Sequence, residues 1–238
     1  RHVHFRHAGS AADVLRDISF HVPAGSTVAI AGATGSGKST LVHLIPRLHE
    51  ATAGEILLDG ININEYDRED LRAGVLIVLQ DDELFTGTIL ENLRWGNPDA
   101  SRQEIEQAAA DALAHDFITA MPDGYDTLLG RGGANVSGGQ KQRLCIARAL
   151  LGNPRVLVLD DSLSAVDATT EREIRRRLSA RLATTTLVII TQRAGATRDV
   201  DRVIVLDNGT VSDIDAPAAL LQKPGIYRDI HDTLQQTF

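Results

Sequence analysis

The chain has 238 residues, 43% of them hydrophobic and 24% charged, which is ordinary for a globular protein and leaves room for one large domain. Its formal net charge of -8 argues against a protein that binds duplex nucleic acid, because such proteins usually carry a basic face, so we expect no nucleic-acid partner. No stretch approaches the roughly 20 consecutive apolar residues of a membrane-spanning helix, so the chain is not expected to cross a bilayer by itself.

The first third of the chain is predicted to contain strands and one helix. Two alternating apolar runs at the start predict a pair of antiparallel strands. A short apolar run then leads into a glycine-rich segment, which is followed by helical apolar spacing. In chain order, strands are predicted over 3–7, 14–22, 26–32, 54–60 and 74–80, and a helix over 40–50.

The pattern changes in the middle of the chain. Strand-like runs disappear, and stretches rich in Ala, Glu, Gln and Arg predict helices over 101–121 and 138–151. Apolar β runs of the kind that parallel sheets bury then return at 155–160, 186–191 and 201–207. This order predicts an α/β protein in three parts: the start of a core at 1–80, an inserted helical subdomain at 81–151 and the end of the core at 152–238.

The glycine-rich segment "GATGSGKST" fits the pattern G-x-x-x-x-G-K-[ST] and lies between a predicted strand and a predicted helix. Glycines in such a loop let backbone N–H groups turn inward around a phosphate, and the helix start adds a favourable dipole. Lys38 would reach the β- and γ-phosphates, and the Ser39 hydroxyl would ligate Mg²⁺. The pattern predicts a nucleotide-phosphate site formed by Gly32, Ala33, Thr34, Gly35, Ser36, Gly37, Lys38, Ser39 and Thr40.

A second pattern is the apolar run "VLVLDD", which ends on Asp160 and Asp161. These carboxylates stand where a buried strand would pass into a loop, a common place for a metal ligand or a catalytic base. One aspartate after an apolar strand is a weak signal, but a phosphate loop upstream strengthens it. Asp160 is therefore expected to contact Mg²⁺, usually through water.

A third pattern, "VSGGQKQR", opens the helix predicted over 138–151 with a serine and two glycines suited to bind an anion. Together with the phosphate loop upstream and "VLVLDD" downstream, it makes the chain closely resemble the ATP-binding-cassette (ABC) family over essentially its whole length. The resemblance implies a P-loop NTPase (RecA-like) core with an antiparallel β subdomain and an inserted α-helical subdomain. It also implies that the chain binds ATP and Mg²⁺.

The resemblance further implies roles for particular residues. Gln80, at the end of a core strand, matches the family's glutamine that senses Mg²⁺ and the γ-phosphate. In this family two cassettes join head to tail, and each ATP lies between the phosphate loop of one cassette and the signature of the other. The signature, usually Leu-Ser-Gly-Gly-Gln, is here Val136, Ser137, Gly138, Gly139 and Gln140, and the D-loop is Ser164, Ala165, Val166 and Asp167.

Two segments, "DELFTGTILENLRWG" and "MPDGYDTLLGRGG", resemble the exporter branch of the family, where they face the membrane domains. This likeness implies a transmembrane domain, expected on the same polypeptide, and a place on the cytoplasmic face of the cell membrane. Arg131 lies near a position that is acidic in many exporters, which bears on the contact with that domain.

Three positions depart from the family pattern. Asp161 stands where the family has a glutamate as general base, and one methylene fewer withdraws the carboxylate enough to cost on the order of a hundredfold in rate. Gln192 replaces a histidine that contacts the γ-phosphate, and glutamine can donate a hydrogen bond but cannot carry a proton. His7 replaces the tyrosine on which adenine stacks, and imidazole offers a smaller face.

Loss of both the base and the histidine in one cassette resembles the degenerate subunit of heterodimeric exporters. The site built on Lys38, Asp161 and Gln192 would then hold ATP and cut it slowly, while Ser137 and Gly139 would complete the site of a competent partner cassette. Three alternatives stay open at this point. They are a homodimeric exporter with slow but functional ATPase activity, a soluble ABC ATPase of DNA repair or the ribosome, and a purely regulatory nucleotide-binding module.

The single cysteine, the single methionine and the arginine content bear on the compartment and the source of the protein. Cys145 is the single cysteine, which excludes an internal disulfide, fits a reducing compartment and, on a helix of apolar period, predicts a buried thiol. The chain begins at Arg1, has Met121 as its one methionine and shows no signal peptide, so we expect it to be a piece of a longer protein. Its arginine-rich, lysine-poor composition favours a bacterial source.

Overall fold

The computed structural model of the chain describes residues 1–181, 184–191 and 197–235. Within them, no helix is both long and apolar enough to cross a membrane. The strands are β1 (Val3–Phe5), β2 (Leu15–Ile18), β3 (Thr27–Ala31), β4 (Leu57–Leu58), β5 (Ile61–Asn62), β6 (Val75–Val78), β7 (Gly87–Thr88), β8 (Leu128–Leu129), β9 (Val156–Asp160), β10 (Thr186–Ile190), β11 (Arg202–Asp207) and β12 (Thr210–Asp215). The α-helices are α1 (Lys38–Leu44), α2 (Arg68–Gly74), α3 (Ile89–Arg94), α4 (Arg102–Asp111), α5 (His115–Thr119), α6 (Gly138–Leu151), α7 (Ala168–Arg181), α8 (Pro217–Gln222) and α9 (Ile226–Gln235).

These elements form two compact units, and the first contains Arg1–Val75 and Thr186–Phe238. Its sheet is built around β3, which pairs in parallel with β10 and with β11, while β11 pairs antiparallel with β12. The four residues 28–31 of β3 are all buried, as expected for a strand covered on both faces. A separate antiparallel ribbon, β1 with β2, and the hairpin of β4 and β5 complete the β structure of this unit.

The second unit, Leu76–Thr185, is centred on α6. Eight of the fourteen residues of α6 are buried, and α3 and α4 pack against it. Cys145 is among the buried residues, as predicted, and burial raises the pKa of its thiol to about 11, so it stays protonated and unreactive near neutral pH. In the same unit β9, buried over all five residues, lies beside β6.

The helix predicted over 101–121 is divided into α4 and α5. Leu113 adopts φ 55, a left-handed conformation that ends a helix, and its carbonyl oxygen accepts a hydrogen bond of 2.7 Å from Nη1 of Arg143. This tertiary contact stabilises a break that the local sequence pattern did not indicate.

Other boundaries also differ from the sequence predictions. The helix predicted over 40–50 ends at Leu44, because Pro46 has no N–H to continue it and Arg47 adopts φ 55. Two two-residue strands, β7 and β8, pair within the segment where strand-like runs disappear, and β12 was not predicted. The three-part division at 80 and 151 stays a prediction.

Candidate functional site

The predicted phosphate loop follows β3 directly and lies in the first unit. Gly32 adopts φ 152, and a Cβ atom there would lie 2.3 Å from the backbone oxygen of Leu206 in β11. Gly37 adopts φ 99, and a Cβ there would lie 2.7 Å from Cδ2 of Leu15 in β2. No other residue type fits these two positions without movement of the backbone or the core, so the loop depends on glycine at both ends.

Lys38 begins α1 and folds back across this loop. Its Nζ donates hydrogen bonds to the backbone oxygens of Gly32, at 3.0 Å, and of Ala33, at 2.9 Å. The ammonium group is thus held at the loop rather than extended into solvent. This position keeps a positive charge beside the segment that the sequence assigned to phosphate binding.

Ser36 is the buried member of the loop. It is 4% exposed, and its Oγ atom has no hydrogen-bond partner within the described part of the chain. Its backbone groups are satisfied, since its N–H donates to the oxygen of Ala33 at 3.1 Å and its oxygen accepts from the N–H of Gly209 at 3.2 Å. A buried hydroxyl without a partner is costly, so the loop carries a donor suited to a ligand oxygen.

The other loop residues form its outer rim. Ala33, Thr34, Gly35 and Ser39 are exposed, and Thr40 is half-buried. Gly35 adopts φ 80, and a Cβ there would meet nothing within 4 Å. Gly35 therefore has open space beside it, whereas Gly32 and Gly37 are crowded by neighbouring atoms.

His7 lies just after β1, in the same unit, and its ring is part of an aromatic cluster. Its centroid is 4.9 Å from that of Phe5 in an edge-to-face arrangement and 6.0 Å from that of His49. His49 in turn lies 5.9 Å from His43. The residue proposed to face adenine is thus exposed and supported by other rings. Its role in nucleotide binding stays a prediction.

Asp160 and Asp161 belong to the second unit, where they differ in environment. Asp160 is the last residue of β9 and is 6% exposed. Asp161 is half-buried and adopts φ 47, so the chain turns sharply at the second carboxylate. Aspartate enters this left-handed region more readily than longer side chains do.

Gln80 follows β6 in the same unit, in a turn, and is exposed. Because β6 lies beside β9, Gln80 follows one of two neighbouring strands and Asp160 is the last residue of the other. Gln192 lies outside the described residues.

The predicted signature residues form the start of α6. The Ser137 hydroxyl accepts from the N–H of Gln140 at 3.2 Å, and the Gln140 side chain accepts from the N–H of Ser137 at 2.9 Å. This reciprocal pair is a capping box, which satisfies two backbone donors at the helix start. Gly138 and Gly139 lie in the first turn, and Val136 precedes the cap and is half-buried.

The predicted D-loop leads into α7. The carboxylate of Asp167 accepts hydrogen bonds from the N–H groups of Thr169 and Thr170, at 3.1 and 3.0 Å, and from the Thr170 hydroxyl at 2.6 Å. The hydroxyl bond, followed by the backbone bonds, lowers the pKa of Asp167 below its ordinary value. Ser164 and Ala165 come before this cap, and Val166 is buried.

Gln142 was not predicted as a functional residue, but it joins these two segments. Its Nε2 donates to Oγ of Ser164 at 3.2 Å, and its Oε1 accepts from the N–H of Ala165 at 3.0 Å. A signal was available in the sequence: Gln142 lies four and three residues after Gly138 and Gly139, so all three share one helix face.

The second unit carries exposed apolar side chains within the two segments that resemble exporters. Phe85 and Trp95 stack with ring centroids 4.6 Å apart and are 45% and 67% exposed. Leu128, in β8, is 69% exposed. Arg131 begins a short 3₁₀ turn and is exposed. Large apolar side chains this exposed commonly mark a contact with another protein segment.

The chain matches known proteins along nearly its whole length. Residues 15–164 match the family described as ABC transporter. The ATP-dependent lipid A-core flippase of Chromohalobacter salexigens is 42% identical over 229 residues, which cover 96% of this chain and 40% of that protein. A solved structure, described as a bacterial Atm1-family ABC exporter with ATP bound, is 38% identical with a TM-score of 0.94, covering 98% of this chain and 41% of that one. The chain thus has the fold of that structure, the α/β P-loop NTPase fold with a mixed sheet, and spans about 40% of the length of the curated relatives it matches.

Proposed function

The chain belongs to the ABC transporter family, and on that premise we propose that it is the nucleotide-binding motor domain of an exporter, which binds MgATP at a head-to-tail interface with a second cassette. Two observations support this proposal. The segment that matches the family includes the phosphate loop, the signature and both aspartates. The similar solved structure is described as an exporter with ATP bound, and its fold agrees with that of this chain over 98% of the residues.

The phosphate loop would hold the triphosphate. Proteins of this family use ATP with Mg²⁺, and the residues present fit both. The ammonium of Lys38 lies within 3.0 Å of two loop carbonyl oxygens and can turn to a phosphate without leaving the loop. The buried Ser36 hydroxyl, which has no partner within the described residues, would donate to a phosphate oxygen.

The proposed ligands of Mg²⁺ are Ser39, Gln80 and Asp160. Hydroxyl, amide and carboxylate oxygens suit this hard cation, which is usually held by one or two carboxylates together with nucleotide phosphates. No group of three His, Cys, Asp or Glu side chains that could hold a metal occurs in the described ranges. When bound, Mg²⁺ would neutralise negative charge on the phosphates.

Hydrolysis at this chain's own site is proposed to be slow. Asp161 would have to act as general base, and a base must come within hydrogen-bond reach of the attacking water. Its carboxylate is one methylene shorter than glutamate and starts from a backbone turned to φ 47. Gln192 cannot supply the proton or charge of an imidazole. Both changes favour holding ATP over cutting it.

The signature and D-loop are proposed to complete the site of a different, catalytically competent cassette. Ser137, Gly138 and Gly139 begin a well-capped helix of fourteen residues, and a helix start of this kind favours an anion. The signature keeps the serine and glycines of the family pattern, whereas the catalytic positions do not keep its glutamate and histidine, which are replaced by Asp161 and Gln192. The contrast is the single observation that favours a heterodimer over a homodimer.

A transmembrane domain, expected on the same polypeptide, is the second proposed partner. The stacked Phe85 and Trp95 and the exposed Leu128 lie in the two segments that resemble exporters, and they supply an apolar surface for a helix of that domain. The chain would then sit on the cytoplasmic face of a bacterial membrane, with its substrate specificity residing elsewhere.

The test is the steady-state ATPase rate of the purified chain against its own concentration, for wild type and the Asp161→Glu, Gln192→His double variant. ATP binding is measured separately, by displacement of a fluorescent nucleotide. We expect wild type to bind ATP but to turn over near background. The double variant should gain about a hundredfold in rate, and its rate should rise faster than linearly with protein concentration because two copies form each site.

An Asp161→Asn, Gln192→His variant is the matched control, since it carries the histidine but no base and should gain nothing. Thermal unfolding of each variant is recorded, because glutamate enters the left-handed region at position 161 less readily than aspartate. Brisk hydrolysis by wild type with the same concentration dependence would contradict the degenerate site and leave a homodimeric motor. Failure of wild type to bind ATP would contradict the proposed function itself.

A further inference from the structure

Gln142 lies on α6, two residues beyond the signature, and both ends of its side-chain amide are bonded to the D-loop. Nε2 donates to the Ser164 hydroxyl at 3.2 Å, and Oε1 accepts from the backbone N–H of Ala165 at 3.0 Å. The residue is 9% exposed, and both of these bonds are partly buried. Gln142 lies outside both the signature (136–140) and the D-loop (164–167). It is part of the helix that the signature begins, and its side chain is bonded to the D-loop.

The first turn of α6 packs closely on the same D-loop residue. A Cβ atom at Gly139 would lie 2.9 Å from the backbone oxygen of Ala165, and one at Gly138 would lie 3.3 Å from its Cβ. Gly138, Gly139 and Gln142 share a helix face because they are three and four residues apart. The two glycines thus bring the backbones together, and the Gln142 amide bonds them.

Each of the two segments also contains the N-terminal cap of a helix. Ser137 and Gln140 cap the start of α6, and the carboxylate of Asp167 caps the start of α7 through the N–H groups of Thr169 and Thr170. Gln142 therefore links two elements that each have their own cap. A link of this kind transmits position from one element to the other rather than merely stiffening a loop.

We propose that Gln142 is a positioning residue that holds the signature (136–140) and the D-loop (164–167) as one body, so that both meet the nucleotide of a second cassette together. This inference rests on the proposed head-to-tail function. The side chain itself touches no nucleotide; it acts through Ser164 and Ala165. The Gln142 amide places a donor near Ser164 and an acceptor near Ala165. Alanine has neither group, and the side chain of asparagine is one methylene too short to place both.

The test compares four forms of the full chain: wild type, Gln142→Ala, Gln142→Glu and the control Gln107→Ala. Gln107 is also a helical glutamine with one side-chain hydrogen bond, from its Nε2 to Asp111 at 3.0 Å, but it is exposed on α4. Gln142→Glu keeps the acceptor for the Ala165 N–H, and the Ser164 hydroxyl can donate to its carboxylate. Three quantities are measured: amide exchange at Ala165, MgATP-dependent self-association, and affinity for a fluorescent nucleotide.

In Gln142→Ala we expect amide exchange at Ala165 to accelerate about tenfold or more, because its acceptor is gone. Self-association in MgATP should weaken about tenfold, while affinity for the nucleotide should change by less than about twofold, because the phosphate loop is in the other unit. Gln142→Glu should recover much of both losses, and Gln107→Ala should match wild type. If Gln142 had a purely structural role, Gln142→Ala would lower nucleotide affinity and thermal stability together. It would not weaken self-association while leaving nucleotide affinity nearly unchanged.

The proposal is overturned if Ala165 exchange or self-association in Gln142→Ala equals that of Gln107→Ala. It is also overturned if Gln142→Glu recovers nothing. If wild type binds nucleotide but does not associate with itself in MgATP, two copies of this chain do not pair head to tail and the role of Gln142 in that pairing fails, whereas pairing with a different cassette is not contradicted. The exchange measurement then reports separately whether the Gln142 link itself exists.

Discussion

The phosphate loop and the signature are both glycine-rich helix starts, but they use glycine for different reasons. Gly32, Gly35 and Gly37 adopt φ values of 152, 80 and 99, a region that residues with a side chain rarely enter. Gly138 and Gly139 lie inside the regular helix α6, where what matters is the space beside them, occupied by Ala165. In the first loop glycine permits a backbone shape, and in the second it permits a close approach.

The N-terminal caps of α1, which follows the phosphate loop, and of α6, which the signature begins, also differ. The N-cap of α1 is Gly37, which has no side chain to bond the first N–H groups, whereas the N-cap of α6 is Ser137 in a capping box. A helix start without a side-chain cap has donors to offer to a ligand, and a capped start has satisfied part of that need internally. The first start suits the tight hold of a phosphate, and the second suits the presentation of a shaped surface.

The largest expected effect separates two glycines within the phosphate loop. Gly32→Ala should lower the free energy of unfolding by about 3 kcal/mol, because the new Cβ would lie 2.3 Å from the Leu206 oxygen at a strained φ. Gly35→Ala should cost only about 1 kcal/mol, since its Cβ would meet nothing within 4 Å and backbone strain alone opposes it. Urea unfolding measures both. Equal losses would show that strain, and not the contact with β11, determines the cost.

A smaller effect is expected at the signature. Gly139→Ala should lower the free energy of unfolding by about 1 to 2 kcal/mol, because a contact of 2.9 Å with the backbone oxygen of Ala165 forces a shift that the higher helix propensity of alanine offsets only in part. Gly138→Ala should be neutral or stabilise by up to about 1 kcal/mol, since its neighbour is only the Cβ of the exposed Ala165. Unfolding in urea checks these values. A loss at Gly139 as large as that at Gly32 would remove the distinction between the two loops.

The smallest effect concerns the cap on the D-loop side. The pKa of Asp167 is lowered by the Thr170 hydroxyl, so its carboxylate stabilises the fold above the ordinary aspartate pKa and loses that contribution as the pH falls through the lowered value. Asp167→Asn keeps a capping acceptor but does not titrate. We expect the difference in urea midpoint between wild type and Asp167→Asn to be constant above about pH 5 and to shrink as the pH falls below the ordinary aspartate pKa of about 4. A difference independent of pH over that range would contradict this assignment.

Most of the elements near the proposed site could be read from the sequence because their signals are local. The strand before Gly32, the apolar run that ends at Asp160 and the helix over 138–151 all appear where the pattern predicted them. Apolar periodicity reports which side chains a segment must bury, and that requirement does not depend on the neighbouring element. The family resemblance followed from the same local motifs and their order.

Contacts between segments far apart in the chain could not be read in this way. The break at Leu113 depends on Arg143, thirty residues later, and the two short strands β7 and β8 each carry too few residues for a pattern. Side chains that bond across such distances leave no periodic signal. The same is true of the His7 cluster, where the rings of Phe5 in β1 and His7 meet that of His49, which follows α1.

By itself, then, the sequence determined the α/β class and the family and predicted the phosphate loop and the signature, because glycine spacing and strand–loop–helix order are properties of contiguous residues. The tertiary structure decided what each glycine is for, since Leu206 and Ala165 become neighbours of Gly32 and Gly139 only when the chain is folded. It also decided that Gln142 spans two segments, because a side-chain amide can find its partners at 3.0 and 3.2 Å only after packing has brought residues 142 and 164–165 together.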